Sequence, residues 1–135
     1  MNLGAALAGL GAQVLMVDLD PQAALTASCN FDPYNLTRTG YTLLTRNNVS
    51  VASCLRPVGP NLFLLPGTID LAAAEVMLTN APRAPFRLRE AVARSRVPLD
   101  FILYDTPPNL GLLTVNALVA SQELLIPVQC QYLSM

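Results

Sequence analysis

The chain has 135 residues, a net charge of −1, and 53% hydrophobic against 13% charged residues. That length suits one domain with a real core and is short for two, and the composition excludes a disordered chain or a global basic field for nucleic acid or anionic membrane. All eight basic residues are arginines, with no lysine and no histidine, which removes lysine Schiff-base chemistry, histidine acid–base chemistry and histidine metal sites.

Asn2 to Leu10 is rich in Ala and Leu and predicts a helix that stops at Gly9 and Gly11. No strand precedes Gly4, Gly9 and Gly11 and no Lys-Ser/Thr follows them, so they predict helix packing and capping rather than a phosphate loop. Val14 to Val17 then runs straight into Asp18-Leu19-Asp20-Pro21-Gln22, the pattern of a buried strand ending in a turn. Ala23 to Ser28 predicts a short helix, Asn30 to Gly40 a loop, and Tyr41 to Arg46 one or two helical turns. Val51 to Leu55 reads as a weak strand or turn, and Asn61 to Gly67 as a second strand. Ile69 to Thr79 predicts a helix, with Asp70 near its positive end.

Phe86 to Ser95 predicts another helix. The arginines between Arg83 and Arg96 form the basic stretch; without interleaved aromatics they read as a solvated face with some pairing to Glu90, rather than as a nucleic-acid patch. Phe101 to Asp105 predicts a third strand, Thr106 to Asn109 a turn, Gly111 to Ala120 a helix, and Glu123 to Val128 a fourth strand. Alternating strands and helices predict an α/β domain with a parallel sheet and right-handed crossovers.

Cys29, Cys54 and Cys130 are far apart in sequence, contain no C-x-x-C pair, and read as free buried thiols of a reducing compartment. No Lys or Arg precedes Arg38, so the apolar start lacks the basic region of a signal peptide. Glu123 and Pro127 interrupt the apolar stretch from Leu112 to Val128. A soluble, cytoplasmic protein is expected.

The chemistry-bearing residues lie at two strand ends. Asp18 and Asp20 are two apart and share one side of an extended chain, and Asp105 closes another strand. Ligands of open α/β sheets bind in the crevice beyond the strand ends. A strand-terminal Asp there suits magnesium held through water beside substrate phosphates, and a second Asp can orient an attacking water.

The blocks VLMVDLDPQ, LLPGTIDLAAAEVML, FILYDTPPNLGLLTVNALVAS and LLIPVQCQY, in this order and spacing, resemble the ParA/Soj family of partitioning ATPases, in the deviant-Walker-A, MinD-like branch of P-loop NTPases. The DPQ and PPNLGLLT blocks speak against MinD-type or cobyrinate-amidase-type relatives. The resemblance spans essentially the whole chain and implies a three-layer P-loop-type sandwich over residues 1–135. It implies that Asp20 is the catalytic acid that helps activate the attacking water. Asp105 is implied as the Walker B acid and Asp18 as its strand partner, both near water-mediated magnesium. Pro107, Pro108 and Gly111 are implied as the switch-like turn at the nucleotide. The family's cofactors are ATP and Mg2+. Its partners are a second ParA-like subunit, a ParB-type stimulator and non-specific DNA.

The family's KGGVGKTT-type loop would precede the segment matching Asn2-Leu3-Gly4, together with a strand that the family places beside the Walker B strand. Its adenine-contacting and DNA-binding parts would follow Tyr132. Smaller departures are Ala24 after DPQ-A and Gln131 where an acid is common. A domain incomplete at both ends is therefore expected, with nucleotide held poorly and hydrolysis lost in these residues alone. The alternative is a non-catalytic module that pairs with and regulates a full-length ParA-like protein.

Overall fold

The computed structural model describes residues 1–130. A four-stranded sheet with order β2-β3-β1-β4 is built from β1 (Val14–Asp18), β2 (Arg56–Gly59), β3 (Leu62–Leu65) and β4 (Phe101–Asp105). β1 is central and pairs in parallel with both β3 and β4. All five of its residues are buried, which is why it is apolar on both faces up to Asp18.

Helices cover both faces. Leu15, Val17 and Leu65 face a cluster with α3 (Gly40–Thr45), α4 (Val51–Cys54), α5 (Asp70–Leu78), α6 (Arg87–Ala93) and α7 (Leu112–Ala120). Val14, Met16, Leu62 and Leu64 face α1 (Asn2–Gly9) and α2 (Ala24–Ser28). The three-layer α/β architecture matches the expectation from the sequence. No described helix is long and apolar enough to cross a membrane.

The sheet departs from that expectation in three places. Val51–Cys54 is a helix, not a strand, because Ser50 accepts a hydrogen bond from the Ser53 amide through its side chain and caps the turn. Arg56–Gly59, unforeseen as a strand, forms an antiparallel hairpin with β3, so the sheet is not wholly parallel. Its Pro57 and Gly59 are poor strand residues, and a register shift between them accommodates both. Glu123 to Val128 is unpaired coil, with Leu124, Leu125, Ile126 and Val128 67–76% exposed. A strand exists only through its pairing, and this run has no neighbour among the described residues. Gln131 and Tyr132 of its motif lie outside them.

Gly4 is a packing glycine, since a Cβ there would lie 2.7 Å from Met16 Sδ. Gly11 ends the first helix in the left-handed region at φ +92°. Gly9, by contrast, lies within α1 with nothing near a Cβ, so it is no packing contact. Cys29 and Cys54 are buried as expected, whereas Cys130 is exposed. The expected pairing of the basic stretch is the ion pair between Arg83 and Glu90.

Candidate functional site

The register of β1 and β4 brings the expected acids together. Asp18 and Asp105 are direct partners at the carboxyl ends of the two strands. The Leu19 amide donates to the Asp105 carbonyl at 2.8 Å, extending the ladder one step past the acids. Asp20 follows in the turn, its Oδ1 accepting from the Gln22 amide at 2.9 Å. The turn closes through the Ala23 amide to the Asp20 carbonyl, and Ala23 adopts φ +53°. A left-handed alanine is a strained conformation, held here by burial.

The three carboxylates differ in environment. Asp18 is fully buried. Its Oδ2 accepts from the Thr26 amide at 2.8 Å and the Thr26 hydroxyl at 2.6 Å, and its Oδ1 from the Asp20 amide at 3.2 Å. The Gly67 amide in turn donates to Thr26 Oγ1 at 2.9 Å. One chain of donors thus ties the ends of β1 and β3 to α2. Burial raises the Asp18 pKa above the ordinary carboxylate range, the Thr26 and Asp20 donors oppose that rise, and Asp105 adds to it.

Asp105 is exposed and has no side-chain hydrogen bond among the described residues. Its pKa is raised too, first by partial burial and then by the Asp20 charge, and is partly offset by the amino terminus. Gly4 in the first turn of α1 packs against Met16 and Leu103, so the helix begins toward the same end of the sheet, and no side chain caps its first turn. A helix amino terminus near a carboxylate cluster suits a phosphate whose charge a nearby cation offsets.

Among the described residues, no group of three or more His, Cys, Asp or Glu side chains could hold a metal ion directly. The donor set fits magnesium held through water, since that ion keeps several waters and takes only one or two carboxylates. Asp105 and the free oxygen of Asp20 are the groups open to it. Asp18, also expected near the magnesium, is buried, and its hydrogen bonds tie it to the Asp20 amide and to Thr26.

The turn after β4 is wired to the opposite helix layer. Pro107 is buried and Pro108 exposed. Asn109 Oδ1 accepts from the Gly111 amide at 3.0 Å, and the Thr114 hydroxyl donates to the Asn109 carbonyl at 2.7 Å. Glu75 on α5 accepts from the Leu113 amide at 3.1 Å, capping the start of α7. A Cβ at Gly111 would overlap Glu75 Oε1, so the glycine admits the carboxylate. Sequence reasoning assigned no role to Thr26, Gly67 or Glu75. Gly67 and Glu75 lie inside the motif LLPGTIDLAAAEVML, which was the available signal, whereas Thr26 in its short helix gave none.

Residues 1–135 match the sequence family described as AAA domain. The chain is 39% identical over 132 residues to the sporulation initiation inhibitor protein Soj of Bacillus subtilis, covering 98% of this chain and 52% of Soj. It is 41% identical over 133 residues to the chromosome partitioning protein ParA of Myxococcus xanthus, covering 98% and 47% respectively. The chain belongs to the ParA/Soj family. It spans about half the length of these curated relatives.

The fold is shared with solved structures. A cobyrinic acid a,c-diamide synthase from Mycobacterium smegmatis with bound ATP analog and magnesium superposes with a TM-score of 0.91 at 38% identity, covering 98% of this chain and 54% of that one. A plasmid partition protein from Borrelia burgdorferi superposes with a TM-score of 0.75 at 26% identity, covering 88% and 52%. By identity, the chain is about as similar to that synthase as to the ParA/Soj relatives.

Proposed function

We propose that these residues form the acid-bearing half of the magnesium–nucleotide site of a cytoplasmic, ATP-dependent partitioning protein. The reading is carried by the register pairing of Asp18 with Asp105 at the carboxyl end of the sheet, toward which α1 also begins. Magnesium, when bound, would supply positive charge that offsets the charge of the phosphates. Asp105 would hold it through water. The free oxygen of Asp20 would accept a hydrogen bond from the attacking water, and Asp18 would keep the Asp20 turn in place through Thr26. Pro107 and Pro108 would stiffen the turn that meets the nucleotide.

The chain contains no lysine, and phosphoryl transfer rests mainly on positioned charge around the phosphates. ATP turnover by these 135 residues alone is therefore expected at background. A second ParA-like subunit, a ParB-type partner and non-specific DNA would be the partners of the whole protein. The deciding experiment follows Mn2+, a paramagnetic stand-in for magnesium, by its effect on water proton relaxation. Binding strengthened by ATP and abolished by Asp105→Asn supports the reading. Binding that ignores both ATP and Asp105 overturns it.

A second reading, a non-catalytic module pairing with a full-length ParA-like protein, is favoured by the outer side of β4. That side is unpaired among the described residues, and Phe101 on β4 is 46% exposed. Co-purification with such a protein, lost when β4 carries a proline at Leu103, is the expected result. Recovery of the chain alone would count against this reading.

A further inference from the structure

A half-open surface pocket of about 420 Å³ lies between the loop before α3, α3 itself and the start of α4, with Thr37, Arg38, Arg46, Asn48 and Ser50 exposed along it. Its lining includes Thr37, Arg38, Arg46, Asn48, Ser50 and Ser53, with Val49 as the apolar contribution. Among the described residues neither an acid nor an aromatic lines it, and Asp18, Asp20 and Asp105 are not part of it. Its volume lies within the range of small-molecule sites, about 300–1,000 Å³.

The lining donors divide into committed and free. Arg56, behind the wall, is committed to the carbonyls of Cys54, Leu55 and Arg38. The Ser53 hydroxyl donates to the Ser50 carbonyl and the Thr42 hydroxyl to the Thr37 carbonyl. Ser50 Oγ only accepts, from the Ser53 amide, so its proton is available. The guanidinium groups of Arg38 and Arg46 and the side chains of Thr37 and Asn48 have no partner among the described residues. The field of Arg38 and Arg56 also reaches inward, opposing the burial that raises the Cys54 thiol pKa.

Two exposed guanidinium groups without a partner among the described residues share this pocket with free hydroxyl and amide donors, a donor set that suits an oxyanion. We propose that this cavity binds phosphate, either free or as the phosphate group of a small, strongly polar metabolite. The absence of an aromatic or broad apolar wall leaves nothing to hold a nucleobase. A concave site with two arginines also differs from the extended basic stripe that tracks a nucleic-acid backbone. The proposal does not depend on the nucleotide reading of the strand-end acids.

The test is calorimetric titration of the 135-residue chain with sodium phosphate and with glycerol phosphate, at ionic strength held constant with chloride. Saturable binding is expected. The combined change Arg38→Gln and Arg46→Gln should weaken it at least tenfold, and Arg38→Lys with Arg46→Lys should restore part of it. Arg89→Gln with Arg94→Gln, on the exposed face of the basic stretch, should leave it unchanged, as should Asp105→Asn. Tighter binding of glycerol phosphate identifies a metabolite site, and equal binding a site for phosphate itself. No saturable binding beyond chloride, or binding lost equally in the Arg89 and Arg94 control, overturns the proposal. So does tighter binding of a short single-stranded DNA through the same two arginines, which would make the cavity a reader of nucleic-acid backbone.

Discussion

Asp18 and Asp105 are register partners on adjacent parallel strands, yet one is sealed under three hydrogen bonds and the other stands open. The pair therefore combines a fixed structural charge with an accessible one. Both carboxyls titrate above the ordinary carboxylate range, Asp18 mainly through burial and Asp105 through burial and then the Asp20 charge. A carboxyl with a raised folded-state pKa binds more protons when folded, so its contribution to stability falls as pH rises through that pKa. Asp105→Asn removes one such cost. The variant should be more stable than the parent chain at pH 7, with the gap closing near the unfolded carboxyl value of about pH 4. Urea midpoints at the two pH values measure this, and magnesium should stabilise the parent but not the variant. A deficit of equal size at both pH values would show that Asp105 acts through packing instead.

Thr26 and Thr68 are both buried threonines, and opposite outcomes are expected for them. Thr26 donates to Asp18 and accepts from Gly67. Thr26→Val would leave a buried carboxylate short of a donor and an amide without an acceptor, at a cost of about 3 kcal/mol. Thr68 Oγ1 is buried with no partner among the described residues. Thr68→Val should be neutral or stabilising, within about 1 kcal/mol. Denaturant unfolding of the two variants provides the comparison.

The Asp18–Thr26 lock also explains what the sequence shows of this fold. β1, β3 and β4 were legible because a central strand covered on both faces must be a short apolar run, and turn residues bound each run. Asp18, Asp20 and Asp105 were legible as strand-end acids. The difference between a sealed Asp18 and an open Asp105 was not, because it depends on Thr26 and Gly67, eight and 49 positions further along the chain. The β2 hairpin was hidden by its Pro and Gly, and α4 by its length of four residues, where strand and helix periods cannot be told apart. The expected strand at Glu123 to Val128 fails for a different reason, since sequence pattern cannot supply a pairing neighbour.

Gly67 faces Asp18 so closely that a Cβ would lie 2.8 Å from the Asp18 carbonyl oxygen and 2.9 Å from its Cγ. The carbonyl is backbone, and the carboxylate is held by its three hydrogen bonds. Gly67→Ala should cost about 1–3 kcal/mol by overpacking and weaken the Thr26 lock. Gly40→Ala meets only ordinary contacts at 3.6 Å and is the matched control. Thermal unfolding of both variants checks the contrast, and an equal loss in the two would refute the close-contact argument.

Asn116 is fully buried on α7 and joins it to the segment that begins α6. Its Oδ1 accepts from the Leu88 amide at 3.1 Å, while Nδ2 donates to the carbonyls of Ala84 and Leu112 at 2.9 and 3.0 Å. Both ends of the amide are thus used, and each substitution removes a different part. Asn116→Ala leaves the buried Leu88 amide without its acceptor, while the Ala84 carbonyl keeps the Arg87 amide and the Leu112 carbonyl its helical bond, so it should cost about 1–3 kcal/mol. Asn116→Asp keeps the acceptor for Leu88 but turns a carboxylate oxygen toward two carbonyls. The acid is then held up in pKa by burial and by those carbonyls, so its penalty is largest at neutral pH and shrinks as the medium becomes acidic enough to protonate it. Urea titrations of Asn116→Asp should show stability recovering as pH falls, whereas Asn116→Ala should show no such recovery relative to the parent. Parallel pH curves for the two variants would mean that the Nδ2 donors contribute nothing.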